Sequence, residues 1–465
     1  MENIPVRTIS CFIAGNKRLT IFFCLFFSLC PLLPASPALS ADDLLSVFER
    51  ARNTDPALKA ALSDLDASRA ERPLAMSKLL PQLTALAGIG RYRKKISGIG
   101  PDDIDNDFWG ESYSARLVQP IFDGQAYVSL KMAENMIQTQ EAEVLAVSQD
   151  LMSRVCAAYF GLLDAKSQKS VAESNVKLSK KIYTQSRAYL RAGTGDIVSV
   201  KEARARWDAA RAGLIKAENG VSVARENLSM LIHGRIGDIL DVRPFKPVGP
   251  DPDDMSLWVK AALENQPRLR EARLMVKLAD QEVDYRKRQR WPKLDIEGQA
   301  SYTDGSFLPD VIYRDIHGMV VLSVPFYLGG SIGAQTEKAA AKAVSARHGL
   351  QRTCDEIAFE TKRAFLRLKD SISHLEAAAL AMESAKISMD ATNRGYEIGT
   401  RNVVDVLNMT DRYLFARSRY LKALYSHILA RIELKKASGL LTIKDLESVN
   451  GLLHKSKDGH DSHER

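Results

Sequence analysis

The feature that most limits what this chain can become is that one structural plan is written into it twice, at an offset of slightly more than two hundred residues. Asn53-Thr-Asp-Pro56-Ala-Leu58 returns as Glu264-Asn-Gln-Pro267-Arg-Leu269, and Leu80-Pro81-Gln-Leu83 returns as Trp291-Pro292-Lys-Leu294, each followed by a segment that ends in tyrosine (Tyr92, Tyr302). Gln119-Pro-Ile-Phe-Asp-Gly124 pairs with Val324-Pro-Phe-Tyr-Leu-Gly329, Gly193-Thr-Gly-Asp-Ile-Val198 with Gly399-Thr-Arg-Asn-Val-Val404, and His233-Gly234 with Ser438-Gly439. Landmarks kept in one order mark a duplicated unit, which overrides the two or three domains that length alone suggests.

Each copy changes period in the same sequence. Residues 42–79 place Leu44, Val47, Phe48 and Ala51 at helical spacing, and Pro81 stops that helix. Segments at 82–95 and 112–122 alternate instead, flanking the acidic, turn-rich Pro101-Asp-Asp-Ile-Asp-Asn-Asp107, which predicts a strand pair with an exposed loop; the second copy predicts strands at 293–304 and 314–326. Proline-free helical runs follow, Ser129–Ala192 and Ile332–Ile398, long enough to reach roughly 100 Å at 1.5 Å per residue. Leu145, Ser148, Met152, Val155, Tyr159 and Leu162 step by three and four. After the glycine turns Val200, Trp207, Leu214, Val221 and Leu228 recur every seven residues, with Ala203, Ala210, Ala217 and Ala224 alongside, and Leu407, Leu414, Leu421 and Ile428 repeat the interval. Such ladders predict supercoiled hairpins.

Residues 1–40 read as a secretory signal peptide: Arg7, Lys17 and Arg18, then the apolar run Leu19–Leu33, then small residues to a cleavage point near Ala41 or Asp42. Cys11, Cys24 and Cys30 fall inside it, and Leu29 and Pro31 around Cys30 fit lipid attachment poorly. Cys156 and Cys354 remain as small core residues, with a disulfide between them left open. Of the net charge of +8, the presequence supplies +2 (three basic residues against Glu2), and the +6 left is mild and mixed with acids throughout, which does not fit a nucleic-acid partner.

Four strands in one exported chain cannot close a barrel, and two long hairpins cannot bury a stripe on a core of their own. Oligomerisation is the expected solution, because pooled strands in a symmetric ring leave no edge in a membrane. Past the presequence there is no apolar run of eighteen residues, so any membrane crossing falls to the short alternating strands.

Pro56, Leu80-Pro81-Gln82, Gln119-Pro120-Ile121-Phe122, Pro325 with Gly329-Gly330, and above all Tyr396-Glu-Ile-Gly-Thr-Arg-Asn-Val-Val-Asp-Val-Leu407 resemble the TolC family of outer-membrane efflux proteins. The resemblance implies an α+β membrane protein. Long coiled-coil hairpins form a periplasmic tunnel, and four β-strands per protomer contribute to a trimeric transmembrane β-barrel. It also implies this division: signal peptide 1–40, first repeat 41–234, equatorial linker 235–258, second repeat 259–439, and a C-terminal equatorial segment and polar tail 440–465.

By the same resemblance, the turns Gly193-Thr194 and Gly399-Thr400 are the tips where a membrane-fusion adaptor and an inner-membrane transporter dock; by themselves they also read as ordinary helix-to-helix turns. Asp405 would form a threefold carboxylate ring at the entrance, attracting cations, though an Asp near a helix start is equally a solvated or capping residue. Asn408 stands where the family carries a second acid. Tyr396 and Arg401 match residues that tie neighbouring coils shut, with the partner position aligning near Asp164 to Ser167, so that Arg401 pairs with Asp164 or another group.

No metal-binding His pair on one helix turn, nucleophile elbow or phosphate loop is present, so neither an enzyme nor a cofactor is expected. Gly329-Gly330-Ser-Ile-Gly333 is better read as tight turning than as a dinucleotide loop, and His454, His460 and His463 as solvated tail residues. The expected role is the exit duct of type I protein secretion or of drug efflux, with a periplasmic coiled-coil scaffold as the rival.

Overall fold

The computed structural model describes residues 42–96, 104–242, 245–304 and 312–454. The presequence with its three cysteines, the tail carrying His460 and His463, and the hairpin loop at 97–103 lie outside the described residues.

In place of one helix over 42–79 there are two, α1 (Leu44–Thr54) and α2 (Pro56–Ser77). The break is the proline: Pro56 forces the preceding residue out of helical geometry and suits the first helical position, where no N–H is needed. Asp55 becomes the cap, its carboxylate accepting from the Leu58 N–H at 2.8 Å. The second copy repeats the proline break at Gln266, between α5 (Met255–Asn265) and α6 (Pro267–Lys287), but without the side-chain cap: the Gln266 amide donates to the Lys436 and Ala437 carbonyls, each at 3.1 Å.

Strands β1 (Gln82–Ile96) and β2 (Ile104–Phe122) follow α2. The second strand starts well before 112, so much of the stretch read as acidic loop is strand. Asp105 to Asp107 register against Lys95 to Arg93, and Arg91 holds Asp107 through two bonds of 3.0 and 2.7 Å. Opposite charges across the pair let the ladder continue through residues that in isolation favour turns. Past the two-residue β3 (Asp241–Val242), strands β4 (Lys293–Asp304) and β5 (Tyr313–Ser323) complete the set; β5 stops short of Pro325, which has no N–H to donate. The sheet is antiparallel in the order β1-β2-β4-β5, so among the described residues β1 and β5 are open edges. The register places Leu83, Ala85, Tyr113, Leu117, Ile296, Ile316 and Val320 on one face and Thr84, Ser114, Arg116, Glu297, Gln299 and His317 on the other. Arg116 bonds Glu297 at 2.7 Å on that polar face.

The long helices are α3 (Gly124–Arg191) and α7 (Ser331–Glu397), about 100 Å each by helical rise. Gly329 and Gly330, both at positive φ, turn the chain from β5 into α7. The returning helices are α4 (Ile197–Ile232) and α8 (Val403–Ala437). Near the strands the helices lie side by side as α2-α3-α6-α7, and towards the turns as α4-α3-α8-α7. The seam buries Met152, Val155, Tyr159 and Leu162 but leaves Leu145 exposed.

One face of the layer is covered at mid-height. There α1, the segment carrying β3, α9 (Ile443–Asn450) and β6 (Leu453–His454) pack on Tyr159, Leu228, Leu424, Ile428 and Ile432. His454 is therefore not a solvated tail residue: it pairs with Asp241 in the β3–β6 ladder, its Nδ1 3.1 Å from the Asp241 carbonyl. Cys156 is buried in this core, where desolvation pushes its thiol up to about 12, and Cys354 packs against the Ala262, Leu269 and Ile357 cluster; both are free thiols. Among the described residues no helix is long and apolar enough to cross a membrane, and no group of acids, histidines and cysteines is placed to hold a metal ion.

Candidate functional site at the hairpin tips

The two hairpins end in turns of one design. In the first, Gly193 takes φ +74°, and the N–H groups of Thr194 and Gly195 both donate to the Tyr189 carbonyl at 3.1 Å. In the second, Gly399 takes φ +78°, and the N–H groups of Thr400 and Arg401 donate to the Gly395 carbonyl at 2.8 and 3.2 Å. Each threonine hydroxyl donates to the same carbonyl as its own N–H, at 3.3 Å for Thr194 and 3.0 Å for Thr400. The left-handed glycine thus satisfies the last carbonyls of one helix while the chain reverses.

The caps that follow differ. Asp196 starts α4, its carboxylate accepting from the Ser199 N–H and hydroxyl, bonds that hold it below the usual carboxylate range. Asn402 starts α8 and accepts the Asp405 N–H at 2.8 Å. The capping role belongs to Asn402, so the Asp405 carboxylate, half-buried in the first turn, has no side-chain partner among the described residues. One turn on, the Asn408 amide oxygen accepts from Arg206 at 3.5 Å, and Arg206 also binds Asp411 at 2.9 Å, joining α4 to α8.

Tyr396 and Arg401 separate in their behaviour. The Tyr396 ring meets Tyr189 edge-on at 5.5 Å, and its hydroxyl lies 3.3 Å from the Ser186 hydroxyl, which ties the two tips inside one chain. Burial, with smaller contributions from Tyr189 and Asp196, raises the phenol against the lowering effect of the Ser186 bond. Arg401 lays its aliphatic stem over Gly395, where an added Cβ would come within 2.8 Å of the arginine Cγ, and it has no ion-pair partner among the described residues.

Asp164 and Ser167 are not at the tip. Ser167 bonds the Tyr425 hydroxyl at 2.8 Å and Asp164 accepts from Gln168 at 3.3 Å. Asp164 stands twenty-seven residues before the end of α3, about 40 Å along the helix, so the expected Arg401–Asp164 pair does not form within the chain. Alignment of sequence blocks cannot fix height along a coil; packing does, and it sets Ser186, Tyr189 and Asp196 beside Tyr396. The hydroxyl of Ser186 and the ring of Tyr189, both within two turns of Gly193, were the signals available for that.

Residues 47–233 and 258–440 match the family described as Outer membrane efflux protein. The chain is 28% identical over 429 residues to Outer membrane protein TolC of Escherichia coli (strain K12), covering 89% of this chain and 86% of that protein. It is 25% identical over 421 residues to Alkaline protease secretion protein AprF of Pseudomonas aeruginosa, covering 87% and 86%. Among solved structures, the Campylobacter jejuni CmeC outer membrane channel superposes with a TM-score of 0.74 at 17% identity, over 88% of this chain and 90% of that one.

Proposed function

This chain belongs to the outer membrane efflux protein family and is an outer-membrane channel component, and from that premise we propose that it works as the exit duct of a type I protein secretion machine. The observation that carries the duct is the sheet: four strands, apolar on one face and polar on the other, with the outer edges of β1 and β5 both unpaired among the described residues. Closure with two further copies removes those edges in lipid and sets the helical layers side by side as a tube. The homotrimer therefore has membrane lipid outside its barrel, and its hairpin tips point away from the membrane. No catalytic step or cofactor enters this reading.

In the trimer the Asp405 carboxylates, free of capping duty, form a ring at the narrow end that draws cations. The turns at Gly193-Thr194 and Gly399-Thr400 present small, exposed backbone to a periplasmic adaptor and an inner-membrane transporter. Tyr396, bonded to Ser186, keeps the tips together in the resting state, and Arg401 is left to pair with a neighbouring copy. Likeness to the alkaline protease secretion protein AprF favours protein cargo. Likeness to Pyoverdine export outer membrane protein OpmQ, 23% identical over 390 residues, keeps small-molecule efflux as the second reading.

The test is single-channel conductance of the purified protein in planar bilayers, with a trivalent cation titrated against wild type and Asp405→Ala. Cation-selective pores that the metal blocks, with block relieved in the variant, support duct and ring together. Pores whose block is unchanged remove the ring, and well-folded trimers that never conduct remove the duct.

A further inference from the structure

The exposed positions of α8 form a regular stripe: Asn408, Arg412, Phe415, Arg419, Lys422 and Ser426, stepping by four and three residues in continuation of Asp405. The opposite side of the helix, with Leu424, Tyr425, Ile428 and Ile432, packs against the mid-height elements α9, β3 and β6. Both flanks of α8 are taken up within the chain, by α3 and by α7. A neighbouring copy would meet the outer edges of the layer, α4 and α7, so the stripe is neither core nor a side-to-side seam. Ring closure with the bulky mid-height elements outside turns it inward.

The charge on this stripe is one-sided. Arg412, Arg419 and Lys422 have no ion-pair partner among the described residues; Arg419 only lies over the Phe415 ring at 5.3 Å. A groove of about 790 Å³ beside them, between α3 and α7, contains Arg367 bound to Glu433 at 2.6 Å, and Lys436 bound to Asp150 at 2.7 Å. That leaves Asp370 as its one uncompensated acid against Arg419 and Lys422. A second groove, towards the tips, pairs Arg206 with Asp411 and leaves Lys216 over.

Resting on the duct reading above, we propose that these residues form a cationic lining inside the tunnel, just past the Asp405 entrance, and that its cargo is an acidic polypeptide. From Arg412 to Lys422 is about 15 Å along the helix, and threefold symmetry makes each position a tier of three cations. An extended polypeptide rising about 3.3 Å per residue meets all three tiers at once, whereas a small anion meets one. A low-dielectric tube lined by one sign of charge concentrates the opposite sign and speeds its entry.

The experiment adds poly-glutamate to the tip side of full-length trimers in planar bilayers. Wild type is compared with the charge-reversed Arg412→Glu/Arg419→Glu/Lys422→Glu and the milder Arg419→Gln/Lys422→Gln. Poly-glutamate should interrupt wild-type current with an association rate at least about tenfold above that of the reversed variant and about threefold above the milder one, and the gap should narrow as salt rises. The milder pair decides the matter if the reversed variant does not assemble. Equal association rates in all three proteins overturn the lining while leaving the duct intact. Equal block by monomeric glutamate at matched carboxylate concentration overturns the polypeptide in favour of a small anion. Wild-type trimers that never conduct overturn the duct, and the lining with it.

Discussion

The hydroxyls of Tyr396 and Ser186 lie 3.3 Å apart although the residues are 210 positions apart, one on each hairpin, and they make a direct polar tie between the two tips of one chain. Tyr396→Phe keeps the ring against Tyr189 and removes only this bond. A neutral hydrogen bond is worth about 1 kcal/mol net, so the variant should populate open tips about fivefold more than wild type. Ser186→Ala should give the same increase in conductance, and the double variant no more than either alone. Additive effects would mean that the two hydroxyls act separately.

Asp55 is 3% exposed and does two jobs, capping α2 and binding Arg154 at 3.1 Å. Burial by itself would raise its carboxyl, but the Arg154 bond and the Leu58 N–H outweigh that and hold it below its ordinary value. A carboxyl depressed in the folded state gives stability that is present above the unfolded value of 3.8 and is lost as pH falls through the lower folded value. Asp55→Ala should cost about 2 kcal/mol at neutral pH by denaturant unfolding, and the gap to wild type should shrink below pH 4.

His427, 1% exposed, fastens the linker to the helices: its Nε2 accepts from the Val248 N–H at 3.3 Å and its Nδ1 lies 2.9 Å from the Ser371 hydroxyl. Burial first, then the Arg431 charge, lowers its proton affinity, so the neutral ring is the folded form. Stability from a histidine depressed in this way is complete above the unfolded value of 6.5 and falls as pH drops through the folded value. Once the slower intrinsic exchange at lower pH is divided out, the protection of the amides at residues 245–250 should fall between pH 7 and pH 5 in wild type. In His427→Phe the segment should exchange faster at pH 7 and show no such step.

Three glycines at positive φ separate strain from collision. Gly193 and Gly399 have nothing within 4 Å of an added Cβ, while at Gly439 it would meet Asn265 and Gln266 backbone atoms at 2.7 to 2.8 Å. Alanine at either tip should cost about 1 kcal/mol of backbone strain. Gly439→Ala forces the α5–α6 junction apart as well and should cost 3 kcal/mol or more, read as a fall in melting temperature several times that of Gly399→Ala.

Much of the fold is local and was open to reading in the sequence. The seven-residue ladders, the alternating segments, the glycine turns and the duplication each depend on neighbours a few residues away. Where local signals failed, a partner from elsewhere had overruled them. The acidic run at 105–107 became strand because a basic strand faces it, and His454 entered a ladder because Asp241 lies across from it. The break at Asp55 is a local signal too, since Pro56 disfavours a helical residue before it.

By itself the sequence determined the order of the elements, their periods, the turn positions and the family, because steric and hydrophobic rules act over one or two turns of chain. Only the tertiary structure decided which residues stand at the same height on different helices. It brought Tyr396 to Ser186 rather than Arg401 to Asp164, gave the cap to Asn402 and left the Asp405 carboxylate without a partner among the described residues, and turned Arg412, Arg419 and Lys422 to the face away from the mid-height elements. Those relations depend on how far one coil slides along another, a distance set by the summed packing of whole helices, which no short stretch of residues encodes.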